Sequence, residues 1–305
     1  MHTEPAPRLR TVIVTGGASG IGWEIAKFYA ADPSNYVYIL DLNAELGARA
    51  STSLSDNVAR ANIKFKQCDI ADWVSSEKVF EEIFLEQGNI GTVVANAGIS
   101  ERGDFLGSEE EEDKPMRPNL TTLDVNLIGT LYTIKLATFY IRKSQRSPSN
   151  ESQLNGSIIC TASVAGIYAF PTAPLYATTK HAIIGLVRSL ARSLAQYGIS
   201  INALAPNVIG MSVCISFEIR GMCDESKFLA VETNIAASAE LFKGMILTPR
   251  TTLHRAMMEL TSKPGLTGKV LLLSGEKVLY EEAPSFDGKE DIERNIEEFW
   301  RLGYS

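Results

Sequence analysis

A short apolar run, TVIVT at residues 11–15, leads directly into the glycine-rich stretch GGASGIG at 16–22. The β-branched run predicts a buried strand, and the helical spacing of Ile21, Ile25 and Phe28 predicts a helix immediately after the glycines. Glycines let the backbone approach a pyrophosphate closely, and a helix N-terminus offers free N–H groups and the positive end of its dipole. This strand, turn and helix therefore predict a phosphate-binding loop.

Strand and helix patterns alternate along the rest of the chain. Such alternation predicts parallel strands joined by crossover helices. The predicted fold class is α/β, a single doubly wound parallel sheet of about seven strands with helices on both faces. The predicted strands are 11–15, 36–40, 62–70, 91–98, 156–163, 198–206 and 268–275, and the predicted helices include 44–60, 72–87, 119–143, 247–262 and 287–302.

No internal repeat or linker divides the chain, which predicts one domain with short ends. We expect a polar tail at 1–10, a dinucleotide-binding and catalytic domain at 11–275, and a C-terminal tail at 276–305 that carries an amphipathic helix. Within the domain, 207–245 loses clean periodicity and is rich in apolar residues. Because it follows the carboxyl end of a strand, it is predicted to be a lid over an apolar substrate, with a helical hairpin that completes the core as the alternative.

Two further segments carry expectations about the surface. The charge run SEEEEDKP within 99–118 predicts a solvated loop, or alternatively a fringe of the active-site mouth. The tail helix carries apolar residues along one edge, and we expect it to dock on its own body rather than on a partner subunit. That edge consists of Ile292, Ile296, Phe299 and Trp300.

Asp41 ends the second predicted strand, 19 positions after Gly22. A carboxylate at this point can accept both hydroxyls of an adenosine ribose and repels a 2′-phosphate. The next residues, Leu42 and Asn43, carry no positive charge that would attract that phosphate, so NAD is predicted rather than NADP. The alternative is that Asp41 caps the following helix. Asp69, at the end of the third strand, is predicted to touch the adenine.

Tyr176 and Lys180 are four residues apart at the start of a helical pattern, so they share one helix face. A cation beside a phenol lowers the pKa of the phenol from about 10 towards working pH, as a general base for an alcohol requires. Ser163, in a turn after an apolar run, could hold a substrate oxygen. Chance is the competing explanation for a lone Tyr-x-x-x-Lys, and the phosphate-binding loop is what argues against it.

Composition limits the class of partner and the compartment. A net charge of −7 argues against nucleic acid as a partner. No apolar run reaches the length of a membrane span and the N-terminus lacks an apolar signal core, so we expect a cytoplasmic protein without membrane contact. Cys68, Cys160, Cys214 and Cys223 lack metal-ligand spacing and are interpreted as reduced thiols, with a Cys214–Cys223 pair as the alternative.

With these residues assembled, the chain resembles the short-chain dehydrogenase/reductase family over roughly 8–275. The resemblance is carried by TGGASGIG at 15–22, NAG at 96–98, Asn126, Ser163 and YATTK at 176–180. Within the family it is most similar to the 15-hydroxyprostaglandin dehydrogenase type, through CDIADW, YATTKHAIIGLVRSLA, LTGKVLLLS and Asp41. This implies a Rossmann-type fold, a homodimer or homotetramer built on two long helices, and NAD-linked oxidation of a secondary alcohol.

The resemblance also implies a role for each site residue. Tyr176 is the acid/base, Lys180 binds the nicotinamide ribose and lowers the pKa of Tyr176, Ser163 orients the substrate oxygen, and Asn126 holds a relay water. From the residues alone, Asn126 is equally a satisfied core amide. The implied cofactor-binding residues are Thr15, Gly16, Ser19, Gly20, Ile21, Gly22, Asp41, Leu42, Asp69, Ile70, Asn96, Ala97, Gly98, Tyr176, Lys180, Pro206 and Val208.

The chain departs from the family after the sixth strand, where Asn207 follows Pro206 in place of the usual glycine. The position of a threonine that contacts the carboxamide carries Met211, with Ser212 next to it, which predicts a weaker hold on the nicotinamide or a lid of unusual shape. These observations leave three functions to be tested. The first is NAD-dependent oxidation of a hydrophobic secondary alcohol (a lipid, terpenoid or polyketide). The second is an NAD(P)H-dependent carbonyl reductase acting on a biosynthetic ketone, and the third is a non-catalytic Rossmann binding protein.

Overall fold

The computed structural model describes residues 9–58, 62–103, 105–106, 116–146, 155–208 and 246–301. Its centre is an eight-stranded sheet. The strands are β1 Arg10–Thr15, β2 Asn35–Asp41, β3 Asn62–Gln67, β4 Thr92–Ala95, β5 Gly156–Thr161, β6 Ile199–Pro206, β7 Val270–Ser274 and β8 Lys277–Glu281. They lie in the order β3-β2-β1-β4-β5-β6-β7-β8; the first seven are parallel, and β8 runs antiparallel to β7.

Helices cover both faces of the sheet, because the strands carry buried side chains on alternate sides. Val12, Val14 and Ile39 pack with the helices that contain Ile25, Leu54 and Leu253, whereas Ile13 and Leu40 pack with those that contain Phe80, Ile134 and Ile183. The predicted α/β doubly wound fold is therefore confirmed. The helices are α1 Gly20–Ala30, α2 Ala44–Asn57, α3 Trp73–Gln87, α4 Thr121–Leu123, α5 Thr130–Gln145, α6 Pro174–Ala195, α7 Arg250–Ser262 and α8 Glu290–Arg301.

The structure adds an eighth strand where the sequence predicted about seven. β8 lies in what was predicted to be tail and pairs with β7 through a tight turn, with Ser274 opposite Lys277. Gly275 in that turn has a φ of 53°, which glycine adopts at no steric cost. The run KVLYE is short and carries charges at both ends, so its period-2 pattern is weak.

The predicted helix at 119–143 is not a regular α-helix. A π-helical turn, Asp124–Gly129, separates the short α4 from α5. Such turns widen a helix locally and are frequent at functional sites. Asn126, one of the predicted site residues, lies in the middle of this turn, so the irregularity shapes the candidate site directly.

The tail helix α8 contacts its own body through Glu297 and Trp300. Arg192 of α6 forms an ion pair with Glu297 at 2.8 Å, and its guanidinium lies 4.4 Å from the ring centroid of Trp300. The apolar edge was expected to make this contact. It does so only in part, because Ile292, Ile296 and Phe299 are about half exposed. No helix in the described part of the chain is both long enough and apolar enough to cross a membrane.

Candidate active site

The carboxyl ends of the parallel strands meet at one edge of the sheet, and the predicted site residues follow these ends. β1 is paired with β2 on one side and with β4 on the other. The connections after β1 and β4 therefore run in opposite directions along the sheet. Open α/β sheets bind ligands in the crevice at such a topological switch point.

The glycine loop between β1 and α1 has the shape of an anion cradle. Gly16 and Gly20 have φ values of 62° and 58°, which favour glycine. A Cβ on Gly22 would lie 2.2 Å from the carbonyl oxygen of Gly16, so the helix start and the loop are too close for any side chain. Ser19 precedes α1 without a side-chain capping bond, which leaves N–H groups of the first turn for a ligand. These features fit the pyrophosphate of a dinucleotide.

A buried network joins the glycine loop to the ends of β4 and β5. The Thr15 hydroxyl accepts hydrogen bonds from the backbone N–H groups of Asn96 and Ala97 at 3.0 and 3.1 Å. The Asn96 amide donates to the Thr15 carbonyl at 3.1 Å and accepts from the Thr161 hydroxyl at 3.0 Å. Three strand ends are thus fixed relative to one another, and they form the floor of the candidate cofactor crevice.

Asp41 ties the end of β2 to the glycine loop. Its two carboxylate oxygens accept from the backbone N–H groups of Ala18 at 3.2 Å and Asn43 at 3.1 Å. The cap of α2 is Asn43, which accepts from Leu46 at 2.9 Å, so Asp41 is not the helix cap. A carboxylate has about four acceptor positions, and Asp41 therefore retains capacity for ribose hydroxyls.

The other residues predicted for the adenosine end lie at the same edge. Leu42 is exposed, Asp69 is partly buried, and one Asp69 oxygen accepts from Ala71 at 2.9 Å. Ile70 is buried against Gly129, where a Cβ would lie 2.7 Å from the Ile70 Cδ1. Their contact with an adenine stays a prediction.

The structure brings Ser163, Tyr176 and Lys180 together at the ends of β5 and α6. The Lys180 Nζ lies 5.4 Å from the centre of the Tyr176 ring and donates to the Thr161 carbonyl at 2.8 Å. The Ser163 hydroxyl is near enough to the Tyr176 phenol to favour its ionised form, and it accepts from the Ala165 N–H at 3.2 Å. A hydroxyl, a phenol and an ammonium thus converge where proton transfer to an oxygen atom is possible.

Burial sets the proton affinities of this cluster. It lowers the pKa of Lys180 from 10.5 to about 8, because the residue is only 4% exposed and no carboxylate among the described residues pairs with it. Burial also raises the pKa of the Tyr176 phenol, and the hydrogen bond from Ser163 offsets part of that rise. The lowering of the Tyr176 pKa by Lys180 therefore stays a prediction.

Asn126 is a satisfied buried amide. Its Oδ1 accepts from the Ile99 N–H at 2.7 Å, and its Nδ2 donates to the Ile99 carbonyl at 2.8 Å. Gly98 lies between this amide and the lysine, since a Cβ there would be 3.1 Å from the Asn126 Oδ1 and 3.7 Å from the Lys180 Nζ. The side chain thus fixes the loop after β4 beside the cluster, and its role as a water holder stays a prediction.

The sequence interpretation missed Glu101. It was counted within a solvated loop, but its Oε1 accepts from the Leu175 N–H at 3.1 Å and its Oε2 from the Tyr176 N–H at 2.6 Å. The sequence did contain one clue. Neither Ala173 nor Pro174 provides a capping side chain for α6, so the N–H groups of its first turn need an acceptor from elsewhere in the chain.

Pro206 ends β6, and the following backbone continues beside β7. The Asn207 N–H donates to the Leu273 carbonyl at 2.9 Å, and the Val208 carbonyl accepts from the Thr248 N–H at 2.8 Å. The predicted lid at 207–245, with Met211 and Ser212, lies outside the described residues from position 209 onward. Within the described ranges, no group of three His, Cys, Asp or Glu residues could hold a metal ion.

Comparison with known proteins identifies the family. A family model described as short chain dehydrogenase matches residues 10–215. Among similar proteins, short-chain dehydrogenase/reductase prx4 of Penicillium rubens is 29% identical over 279 residues, which cover 90% of this chain and 77% of that protein. Short-chain dehydrogenase reductase 5 of Arabidopsis thaliana is 32% identical over 249 residues, which cover 81% and 86% respectively. With its glycine loop and its Ser-Tyr-Lys cluster at one sheet edge, the chain belongs to the short-chain dehydrogenase family of oxidoreductases.

Proposed function

We propose that the protein is an NAD-dependent dehydrogenase that oxidises a secondary alcohol to a ketone on a hydrophobic small molecule, as in the 15-hydroxyprostaglandin dehydrogenase type. The observation that carries the proposal is the convergence of Ser163, Tyr176 and Lys180 beside the cofactor crevice. The family membership supports an NAD(P)-linked oxidoreductase. The choice of NAD, the substrate class and the direction rest on the arguments that follow.

The choice of NAD rests on Asp41. Its carboxylate is held at the end of β2 by the N–H groups of Ala18 and Asn43, directly beside the glycine loop. A fixed negative charge there favours the two free hydroxyls of the NAD ribose and opposes a 2′-phosphate. The neighbouring Leu42 is uncharged and exposed, so no cation in this turn offsets the repulsion.

The hydrophobic substrate rests on the apolar residues around the site. The stretch between Ser163 and Tyr176 carries two exposed aromatic side chains, Tyr168 at 58% and Phe170 at 44% exposure. Phe105, in the segment after β4, is 49% exposed. Large exposed aromatic groups near a reaction centre mark a surface that binds apolar ligands. The apolar composition of 211–229 points to the same class of substrate.

Each side chain then has one task in the reaction. The Ser163 hydroxyl orients the substrate oxygen, and Tyr176 accepts the proton of the substrate hydroxyl at its phenolic oxygen. The Lys180 ammonium stabilises the phenolate that performs this step. The nicotinamide, when bound, supplies the hydride acceptor. The same residues donate the proton to a carbonyl oxygen in the reverse direction.

The first test is a thermal-shift titration with NAD, NADH, NADP and NADPH, each alone. A ligand at about 100 times its Kd adds about 2.7 kcal/mol to the free energy of unfolding. We expect NAD and NADH to raise the midpoint more than the phosphorylated pair, and Asp41→Asn to reduce that difference. A shift confined to NADP and NADPH would contradict the NAD assignment and favour a carbonyl reductase, and no shift with any nucleotide would favour a non-catalytic protein.

The second test is turnover of secondary alcohols of increasing apolar surface. Each buried CH2 group contributes about 0.8 kcal/mol, or about fourfold, so kcat/KM should rise along the series. Primary alcohols of matched length are the control. A flat series, or a preference for small polar alcohols, would contradict the hydrophobic substrate class.

We further propose a homodimer or homotetramer built on the long helices α5 and α6. Leu131 and Phe139 on α5 support this, because they are 37% and 57% exposed on a helix whose other apolar residues are buried. Light scattering coupled to size exclusion measures the state, and Phe139→Glu should shift it towards the monomer. A monomeric wild-type protein at micromolar concentration would contradict the proposal.

A further inference from the structure

The N-terminus of α6 does not provide its own cap. Ala173, at the N-cap position, has no side chain that can accept a hydrogen bond, and Pro174 has no N–H to donate. The next two N–H groups, from Leu175 and Tyr176, have no partner within the helix. The residue that would carry the catalytic phenol therefore stands in a turn that needs support from another part of the chain.

Glu101 provides that support from 75 positions earlier in the sequence. Its Oε2 accepts from the Tyr176 N–H at 2.6 Å and its Oε1 from the Leu175 N–H at 3.1 Å. Both bonds are charge-assisted, and the carboxylate lies at the positive end of the α6 dipole. Glu101 thus contacts the backbone of the very residue whose side chain carries the reaction.

The loop that carries Glu101 is held on both sides. Before it, the Asn126 side chain forms the reciprocal pair of hydrogen bonds with Ile99. Around it, the Thr122 hydroxyl donates to the Ser100 carbonyl at 3.2 Å and accepts from the Arg102 N–H at 3.1 Å. These bonds fix the segment 99–102 relative to α4 and the π-helical turn. Glu101 connects this segment to the first turn of α6.

We propose that Glu101 is a positioning residue for catalysis, because its carboxylate fixes the first turn of α6 and so holds the Tyr176 phenol against Ser163 and Lys180. The inference rests on the proposed function, in which Tyr176 is the acid/base. A displacement of about 1 Å in a reacting group can lower a rate by about 100-fold. Loss of Glu101 should therefore affect the chemical step more than cofactor binding.

The test compares Glu101→Ala and Glu101→Gln with wild type. For Glu101→Ala we expect kcat to fall by about 10- to 100-fold while KM for NAD changes by less than about threefold. Amide hydrogen exchange at Leu175 and Tyr176 should accelerate by about tenfold or more, because both bonds are lost. Glu101→Gln retains one side-chain oxygen as an acceptor, so it should restore part of kcat and part of the exchange protection.

Asp72→Ala is the matched control. Asp72 caps α3 in the same way, accepting from the N–H groups of Val74 at 3.1 Å and Ser75 at 3.3 Å. Its removal should accelerate exchange in the first turn of α3 and lower the thermal midpoint to a similar extent, while kcat changes by less than about twofold, because that turn carries none of Ser163, Tyr176 and Lys180.

Two results would overturn the inference. One is unchanged exchange at Tyr176 in Glu101→Ala. The other is a loss of kcat in Glu101→Ala that is no larger than the loss in Asp72→Ala. Failure of the proposed function is distinguishable, since it appears as wild-type protein that turns over no alcohol or ketone, or as Tyr176→Phe that equals wild type. In that case amide exchange alone decides whether Glu101 holds the α6 turn.

Discussion

The N-termini of α1 and α6 reach the same edge of the sheet but are completed in opposite ways. At α1, Ser19 makes no capping bond, and the glycine loop leaves the first turn open. At α6, the N-cap residue Ala173 also makes none, but Glu101 occupies the first turn with a carboxylate. An open, positive helix end suits an anionic ligand, whereas a closed one holds its own residues in place. The difference supports the proposed roles, with cofactor binding at α1 and proton transfer at α6.

The two regions also use different means to build a site. Around α1 the site depends on missing side chains, as at Gly22, where a Cβ would clash with the Gly16 carbonyl. Around α6 it depends on a buried cation, Lys180, which lies beside the phenol and pairs with no carboxylate in the part of the chain that the structure describes. The site at α1 therefore depends on close steric fit, and the site at α6 depends on electrostatics. Substitutions at α1 should mainly change cofactor affinity, whereas those at α6 should mainly change the reaction rate or the pH dependence of stability.

The largest expected effect is a loss of catalytic rate without a loss of cofactor binding. Removing the phenol oxygen in Tyr176→Phe takes away the proposed general base, a contribution of about 10²- to 10⁴-fold in rate. We expect kcat to fall by about 1,000-fold while the thermal shift with NAD is retained, because the glycine loop is unchanged. Steady-state kinetics and thermal shift on the same preparation measure both. A fall of less than tenfold in kcat would break the assignment of chemistry to α6.

Gly22→Ala is the reciprocal change at α1. Its Cβ would lie 2.2 Å from the Gly16 carbonyl oxygen and 2.5 Å from the Asn96 Nδ2, so the loop backbone must move. We expect the affinity for NAD to fall by about 100-fold, or about 3 kcal/mol. Calorimetric titration measures it, and the rise in thermal midpoint with NAD should shrink accordingly.

Gly185→Ala is the control for Gly22→Ala. Gly185 lies within α6, and nothing lies within 4 Å of a Cβ built there. Alanine should therefore increase the free energy of unfolding by about 0.5–1 kcal/mol, as expected in a helix interior. Affinity for NAD should stay at the wild-type value. Equal affinities in both alanine variants would contradict the close-approach argument for the glycine loop.

Lys180→Met tests whether the buried cation opposes folding. Its pKa falls from 10.5 to about 8 on folding, which corresponds to a cost of about 3 kcal/mol while both states are protonated. The variant loses the hydrogen bond to the Thr161 carbonyl, which costs about 1 kcal/mol. Below pH 8 we therefore expect the inactive variant to be more stable than wild type by about 2 kcal/mol.

The sign of this effect depends on pH. Between pH 8 and 10.5 the folded state has released the lysine proton and the unfolded state has not, so the wild-type penalty disappears over this window. The advantage of Lys180→Met should shrink across it and reverse near its upper end. Urea unfolding at several pH values measures the difference. A constant difference between pH 7 and 10 would contradict burial of an ammonium.

The two regions also differ in how much of each could be predicted from the sequence. The glycine loop, Asp41 and the Tyr-x-x-x-Lys spacing are local patterns, and their positions at one sheet edge follow from alternating strands and helices. Glu101 acts across 75 positions, so no local window contains both partners. The strand β8 and the π-helical turn at Asp124–Gly129 were missed because tertiary packing, rather than periodicity, determines them.

The smallest expected effect comes from closing the open helix end, in Ser19→Asp. Ser19 already has an extended conformation, with φ −152° and ψ 170°, in which an aspartate can accept from the first turn as Asp72 does for α3. Without nucleotide, the new cap and its favourable dipole interaction should add about 0.5–1 kcal/mol to the free energy of unfolding. The same carboxylate would repel a pyrophosphate, so the affinity for NAD should fall by about tenfold.

Ser19→Ala is the control for this change. Because the serine side chain makes no capping bond, its removal should alter the free energy of unfolding by less than about 0.5 kcal/mol, and it should lower the affinity for NAD by less than Ser19→Asp does because it adds no negative charge. Thermal unfolding with and without NAD measures both quantities for the three proteins. The comparison between the helix ends requires opposite signs in Ser19→Asp, with a gain in stability and a loss in affinity. If both quantities rise together, the N-terminus of α1 does not face the phosphates, and the open end would have another role.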